Sequence, residues 1–393
     1  MTDFSRTPYH TVIIGAGASG LFCAGSFTAK KLLLDHNAQP AVKVSVSGGG
    51  KCNFSNQFMS AACYDSQNKH FCKSALAAFG PQDFIRLLQE EKINFDLRPS
   101  GQYFAQNAKD IVRFLVKRAE RAHTHLLLAT QVLSVSKNAN GFLIHTSRGN
   151  VQAERVVVAT GGLSFRTLGA SSFGMQVART FNLPVVTQRP ALCGFMLPQP
   201  FRNRCRALAG NSIFARVTLQ KRSFEGPLLF THEGISGPCV LQASLYWQEN
   251  ASLLLNLLPE TDVLSFLKTY KNTPAAFSSI LKKFRPAKIV KIWLDDLDKD
   301  LANATKQDLQ QAAEQLNRLC IVPRTPFGYT KAEVTAGGID TRYVNPVTLE
   351  SRLVPGLYFT GEVLDVTGQL GGYNLQWAWS SGYGAAKALE KFF

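Results

Sequence analysis

The sequence predicts an α/β fold with an open, mainly parallel sheet, and three stretches carry that prediction. "TVIIGAGASGLFCAGSFTAKKLLLD" reads as strand, tight turn, helix, strand; "ERVVVATGG" (154–162) is a β-branched run entering a tight turn; "VPGLYFTGE" (354–362) is a strand closed by Gly361 and Glu362. Strands buried in a parallel sheet are continuous apolar runs rather than alternating ones. Ligands of such sheets lie outside the carboxyl ends of the strands. Strands ending at Ile14, Ala159 and Thr360 are therefore expected to converge on one crevice.

The first of these elements is the most informative. Val12, Ile13 and Ile14 are followed by Gly15, Gly17 and Gly20, the G-x-G-x-x-G spacing. The first glycine permits the turn, the second lets backbone amides approach a pyrophosphate, and the third lets helix pack on strand. A helix from about Ala18 would offer its unpaired N–H groups and dipole to the anion. The next strand, Leu32–Leu34, ends in Asp35, where a ribose-binding carboxylate belongs. The pattern indicates a dinucleotide and leaves NAD and FAD both open.

"SVSGGGKCNFSN" (45–56) comes next; its three glycines before Lys51, Cys52 and Asn53 suggest a backbone nest for a polar or anionic group. "HLLLATQVLSVS" reads as a strand with Val132 toward its end, and "GFLIHTS" as a strand that alternates as hairpins do. At the other end of the chain, "GEVLDVTGQLGGYNLQWAWSSG" (361–382) holds five glycines and two tryptophans with no Lys or Arg. Glycine at that density marks a bend or a close approach of backbone to a ligand. A closing helix follows it.

At 393 residues the chain calls for two or three domains. Forty-three basic and 27 acidic residues give a net charge of +16, which keeps RNA, DNA or an anionic ligand in view. The basic residues are scattered, though. The densest groups are Arg202, Arg204 and Arg206, then Lys282, Lys283, Arg285, Lys288 and Lys291, then Arg113, Lys117 and Arg121 on one helix face. They read as solvated faces, and the lack of interleaved basic and aromatic residues counts against nucleic acid. The eight cysteines include no CxxC pair and no metal-ligand spacing, as expected of reduced thiols in a cytoplasmic protein. The N-terminal segment is a poor signal peptide, since glycines interrupt its apolar stretch. No apolar run is long enough to span a bilayer.

Taken together, SGGGKCN, VVVATGG, FTHEGISGP, VTAGGI and PGLYFTGEVLDVTGQLGGYNLQWAWSSG resemble a bacterial and archaeal flavoprotein family. Its characterised members include aminoacetone oxidases and bile-acid enone reductases. The resemblance spans residues 11–386 and implies a glutathione-reductase-like FAD-binding domain of Rossmann type, built from both chain ends (1–187 and 326–393). It implies a β-rich inserted domain (188–258 and 319–325) and a helical subdomain (259–318). Carried over by matching motif, Gly15, Gly17, Ala18, Ser19 and Gly20 would hold the FAD pyrophosphate, and Asp35 the adenosine ribose. Val132 would meet the adenine through its backbone. Lys51, Cys52 and Asn53 would lie along the flavin, with Thr160 and Gly161 in the turn after the VVVA strand. Gly361 and Glu362 would reach the ribitol, and Gly371, Gly372, Tyr373, Asn374 and Leu375 would present amides to the N1–C2=O edge of the ring. Positive dipole there favours the reduced flavin. The chain departs from the family at Lys51, where Arg is usual, and in "LSFRTLGASSFG" after the ATGG turn.

The implied activity is that of an FAD-dependent oxidoreductase on a small molecule, by amine oxidation or enone-type reduction. With no second G-x-G-x-x-G, NAD(P)H would dock transiently as electron donor. The alternative is a flavoprotein of RNA modification or RNA binding. No catalytic residue stands out. His232 and Glu233 read as a hinge or as a loop reaching the flavin, Cys52 as a small buried residue or a reactive thiol, and Tyr373 as a stacking group or a proton donor.

Overall fold

The computed structural model describes residues 8–392. The chain divides into two units, one made of the segments up to Arg189 and from Val334, the other of Pro190–Glu333.

The first unit is built on one sheet. Its strands are β1 (Tyr9–Ile14), β2 (Lys31–Leu34), β3 (Thr124–Leu127), β4 (Val132–Asn138), β5 (Gly141–Thr146), β6 (Gly149–Val158) and β7 (Leu357–Phe359). The order is β3-β2-β1-β6-β5-β4, with β7 also on β6. β6 explains the mixed sheet. Its first half, Gly149–Ala153, pairs antiparallel with β5, and its last residues, Val156–Val158, pair parallel with β7. The sequence follows suit: side chains alternate between exposed and buried up to Glu154, and Val156–Val158 are all buried. Across the parallel part, Leu34, Ile14, Val158 and Phe359 stand in one register row. The carboxyl ends of four strands therefore share one edge of the sheet.

One expected element is corrected. "HLLLATQVLSVS" is two strands rather than one, because Ala129 takes a left-handed φ of 50° and Thr130 N–H bonds Asp35 O at 2.8 Å. Val132 thus opens β4 instead of closing the preceding strand.

Three helices flank this sheet, α1 (Ala18–Ala24), α2 (Val42–Gly50) and α3 (Ala108–Arg121), together with the C-terminal helix Tyr373–Glu390. The Asn107 side chain caps α3 by accepting from Lys109 N–H at 2.9 Å, with Asp110 in its first turn and Arg118 and Arg121 in its last. That arrangement suits the helix dipole. Its basic face is ion-paired: Arg113 bonds Asp110, while Lys117 and Arg121 both reach Glu91. The C-terminal helix is buried along most of its length and lies against α1, where a Cβ on Gly382 would stand 2.7 Å from Ser19 O. Trp379 stacks on Phe84 at 4.8 Å and meets Phe22 at 5.6 Å. Truncating so large a buried ring typically costs about 3–5 kcal/mol.

The second unit is a seven-stranded antiparallel sheet centred on the hairpin Ser212–Leu219 and Arg222–Phe230. Six helices complete it among the described residues: Phe201–Ala207, Pro238–Tyr246, and four later ones, α4 (Val263–Thr269), α5 (Phe277–Leu281), α6 (Ala287–Leu294) and α7 (Lys306–Asn317). Sheet and helices share one core that includes Phe230, Leu255 and Trp293. No helix among the described residues is long and apolar enough to cross a membrane.

Candidate functional site

At the carboxyl edge of the first unit's sheet, three glycine turns meet. The first follows β1. Gly15 has φ +108°, and a Cβ there would lie 2.5 Å from Ala159 O; a Cβ on Gly20 would collide with Gly15 O. These two glycines therefore serve the packing of turn, helix and neighbouring strand. Gly17 is different: a Cβ there would meet nothing within 4 Å. Leu21 is the first residue of α1 bonded back, to Gly17 O at 3.1 Å, so the amides of Ala18, Ser19 and Gly20 have no helical acceptor. An open approach beside unpaired amides is the cradle a pyrophosphate requires.

Asp35 closes this end. Its Oδ2 accepts from Ala16 N–H at 2.7 Å and its Oδ1 from Asn37 N–H at 2.8 Å. The carboxylate so braces the glycine turn, and each oxygen keeps a second lone pair for a ribose hydroxyl. Val132 lies two residues beyond Thr130, which is bonded to Asp35.

The second turn joins Thr160 and Gly161 to Gly361 and Glu362. Ser19 Oγ lies 3.3 Å from Thr360 Oγ1, and a Cβ on Gly361 would stand 2.6 Å from that same Ser19 Oγ. Gly361 is fixed from both sides, its N–H donating to Ser381 Oγ at 2.9 Å and its carbonyl accepting from Trp377 Nε1 at 3.0 Å. The Glu362 carboxylate accepts from Thr335 N–H at 2.8 Å and from Lys43 Nζ at 2.8 Å. Thr160 Oγ1 is shielded from water and has no hydrogen-bond partner among the described residues. That hydroxyl is packed against Gly174, where a Cβ would stand 2.3 Å from it, whereas at Gly161 a Cβ would find nothing nearer than Glu362 Oε2 at 4.0 Å.

The third turn is Gly371-Gly372 against residues 48–56. α2 breaks at Ser47, and Gly48 and Gly49 are left-handed, the nest-forming geometry. Gly49 and Gly50 also face open space. Asn53 accepts from Gly372 N–H at 3.2 Å and donates to Tyr103 O at 3.2 Å, its amide orientation being set by these neighbours. Asn56 Nδ2 donates to Gly371 O at 2.9 Å. The Asn374 side chain is tied both ways to Gly368, at 2.8 and 2.9 Å. Gln376 is the first residue of the C-terminal helix bonded back, to Gly372 O. The amides of Tyr373, Asn374 and Leu375 thus have no helical acceptor, whereas that of Gly372 is engaged by Asn53.

Two side chains beside this turn are packing groups. Cys52 is fully buried, and desolvation pushes its thiol up to about 12. Tyr373 meets the Tyr64 ring edge-on at 6.2 Å, and its hydroxyl points to Phe58 O at 3.5 Å. Burial beside the Cys63 thiol raises its phenol. Lys51 is exposed, its N–H donating to Gly48 O at 3.4 Å. Glu233 belongs to the second unit, where it pairs with Arg202 and, at 4.0 Å, with Arg206. Lys43, Thr335 and Asn56 were not singled out in the sequence, although Thr335 lies in VTAGGI and Asn56 closes SVSGGGKCNFSN; each acts through a partner distant along the chain.

The residues present fit FAD: an open pyrophosphate cradle, a braced ribose carboxylate, open space at Gly161 and a helix N-terminus with unpaired amides. Comparison with known proteins agrees. A family model, the HI0933-like protein Rossmann domain, matches residues 9–388. The ribosomal RNA dihydrouridine synthase of Escherichia coli (strain K12) is 41% identical over 97% of this chain and 98% of that protein. The protein of the same description from Haemophilus influenzae (strain ATCC 51907 / DSM 11121 / KW20 / Rd) is 39% identical over 97% and 98%. The 3-dehydro-bile acid delta(4,6)-reductase of Clostridium scindens (strain ATCC 35704 / DSM 5676 / VPI 13733 / 19) is 30% identical over 96% and 98%. The chain belongs to the HI0933-like family of Rossmann-fold proteins and is an FAD-dependent oxidoreductase.

Proposed function

We propose that this enzyme reduces a uridine of ribosomal RNA to dihydrouridine. The observation that carries the reading is the 41% and 39% identity, over nearly the whole chain, with two ribosomal RNA dihydrouridine synthases. The sequence alone ranked a small molecule first and RNA second; these relatives support the opposite order.

The chemistry suits the site. Reduction adds two hydrogen atoms across the C5–C6 double bond of uracil, and negative charge develops on the conjugated C4 carbonyl oxygen. FAD supplies the two electrons when bound, and an external donor such as NAD(P)H restores them. The chain's own part is to hold the cofactor and bias its charge. Gly17 and the first turn of α1 take the pyrophosphate, and Asp35 takes the ribose. The amides of Tyr373, Asn374 and Leu375 stabilise negative charge on the ring edge.

The reductase relative at 30% identity favours a second reading, reduction of a conjugated ketone of small size. One experiment separates the two. The purified protein is incubated with NAD(P)H and either ribosomal RNA lacking dihydrouridine or a 4,6-unsaturated 3-oxo steroid, and each is analysed by mass spectrometry. A gain of two hydrogen atoms on one uridine is expected. RNA left unchanged beside a reduced steroid would overturn the RNA reading in favour of the second.

A further inference from the structure

The second unit contains a charge anomaly that the FAD site does not explain. Residues 263–294, from α4 to the end of α6, carry seven basic residues and no Asp or Glu. Only Arg285 is ion-paired among the described residues, to Glu260. The other six, Lys268, Lys271, Lys282, Lys283, Lys288 and Lys291, are exposed and have no carboxylate partner among the described residues. On α3, by contrast, Arg113, Lys117 and Arg121 are paired.

The same surface is aromatic. Phe266 packs against Tyr270 at 5.0 Å and Phe284 at 5.1 Å, and Tyr270 is exposed. Lys283 Nζ lies 4.1 Å from the Phe266 ring centre and 4.8 Å from that of Phe284. Along the chain the lysines and rings alternate within two short stretches, Phe266–Lys271 and Lys282–Phe284. The fold brings the two stretches together through the Phe266–Phe284 contact, with Lys283 held over both rings.

We infer that the α4–α6 face of the second unit is an RNA-docking surface. Unpaired lysines draw a phosphate backbone and displace its counterions, and an exposed ring offers a platform on which a base stacks. A protein partner of opposite charge would use the lysines but has no equal need of the rings. The inference deepens the proposed function, resting on its reading of the substrate as RNA.

The test compares the FAD-loaded wild type with the variant K268Q/K271Q/K282Q/K283Q in binding to a ribosomal RNA fragment at several salt concentrations. A control, K69Q/K73Q/K92Q/K109Q, removes equal charge from exposed lysines of the first unit. The α4–α6 variant is expected to bind at least about tenfold more weakly. Its salt slope should fall by about three, each lost phosphate contact contributing roughly 0.7–0.9. The control should change little. Equal losses in variant and control, or no loss in either, would overturn the surface. K268Q/K271Q alone serves if the fourfold variant melts early, with about half the loss in slope expected. Dihydrouridine formation is read in parallel. RNA bound through these lysines but left unreduced sinks the enzymatic reading and keeps the surface; RNA reduced while the variant binds as the wild type does the reverse.

Discussion

Lys43 and Glu362 meet at 2.8 Å although one lies in α2 and the other in the turn that follows β7. Through Glu362 the pair also reaches Thr335 N–H, so three segments remote in sequence are locked beside the glycine turns. Glu362→Gln keeps an acceptor for Thr335 and loses the charge that holds Lys43. Hydrogen bonds to charged groups are worth about 1.5–3 kcal/mol when sheltered, and Lys43 is part-exposed, so the lower end applies. FAD is expected to bind roughly tenfold more weakly. Titration of apoprotein with FAD checks this, and unchanged affinity would remove Glu362 from the cofactor's surroundings.

The glycines of the first turn divide by what surrounds them. Gly20→Ala drives a methyl into Gly15 O and should destabilise the apoprotein by several times the roughly 1 kcal/mol typical of point mutants. Gly17→Ala meets open space and should leave apoprotein melting nearly unchanged while abolishing FAD retention. Melting curves without FAD and flavin content after purification distinguish the two. Equal melting losses would mean that Gly17 is a packing glycine as well.

Lys31 is buried with its Nζ donating to Phe27 O, Ala29 O and Ala122 O. Desolvation lowers its pKa to about 8. A lysine depressed in the folded state binds fewer protons folded than unfolded, so stability should rise as pH increases from about 8 toward the unfolded value near ~10.4. Lys31→Met lacks this group. The wild-type advantage over that variant should therefore grow across this interval and stay level below it. A flat difference in denaturant unfolding from pH 7 to 10 would contradict the assignment.

Alkylation gives a quicker check of the thiols. Burial pushes Cys23, Cys52, Cys205 and Cys239 up to about 12, and the thiolate is the reacting species. Iodoacetamide at pH 8 should label exposed Cys320 in the native protein and spare these four. Rapid labelling of Cys52 would restore it as a reactive group beside the cofactor.

The strands read as ending at Ile14, Ala159 and Thr360 end at Ile14, Val158 and Phe359, within one residue, because buried parallel strands announce themselves as unbroken apolar runs. β3 and β4 were merged because Leu128–Gln131 keep a strand-like composition; the break comes from the Thr130 bond to Asp35, a tertiary contact. Within the site, backbone roles were readable from glycine and side-chain bracing was not. The particular roles of Lys43, Thr335 and Asn56 appear only when the fold supplies Glu362 and Gly371. The lysines of α4–α6 were visible as charge and read as solvated faces; the contact of Phe266 with Phe284 that joins their two stretches appears only on folding.

The sheet's β7 and the helix laid on α1 come from residues after 356, beyond the entire second unit. A nascent chain therefore makes the pyrophosphate turn early and must wait for its last strand and helix before β6 is covered and Gly361 is tied to Ser381. The continuous second unit faces no such delay and has all of its strands once Glu333 is made. Synthesis thus orders the two: the inserted unit is free to fold while its host is still incomplete, and the cofactor pocket is the last part to close. A premature stop anywhere before the C-terminal helix would leave Phe22 and Phe84 without Trp379, an apolar gap that chaperones and proteases detect.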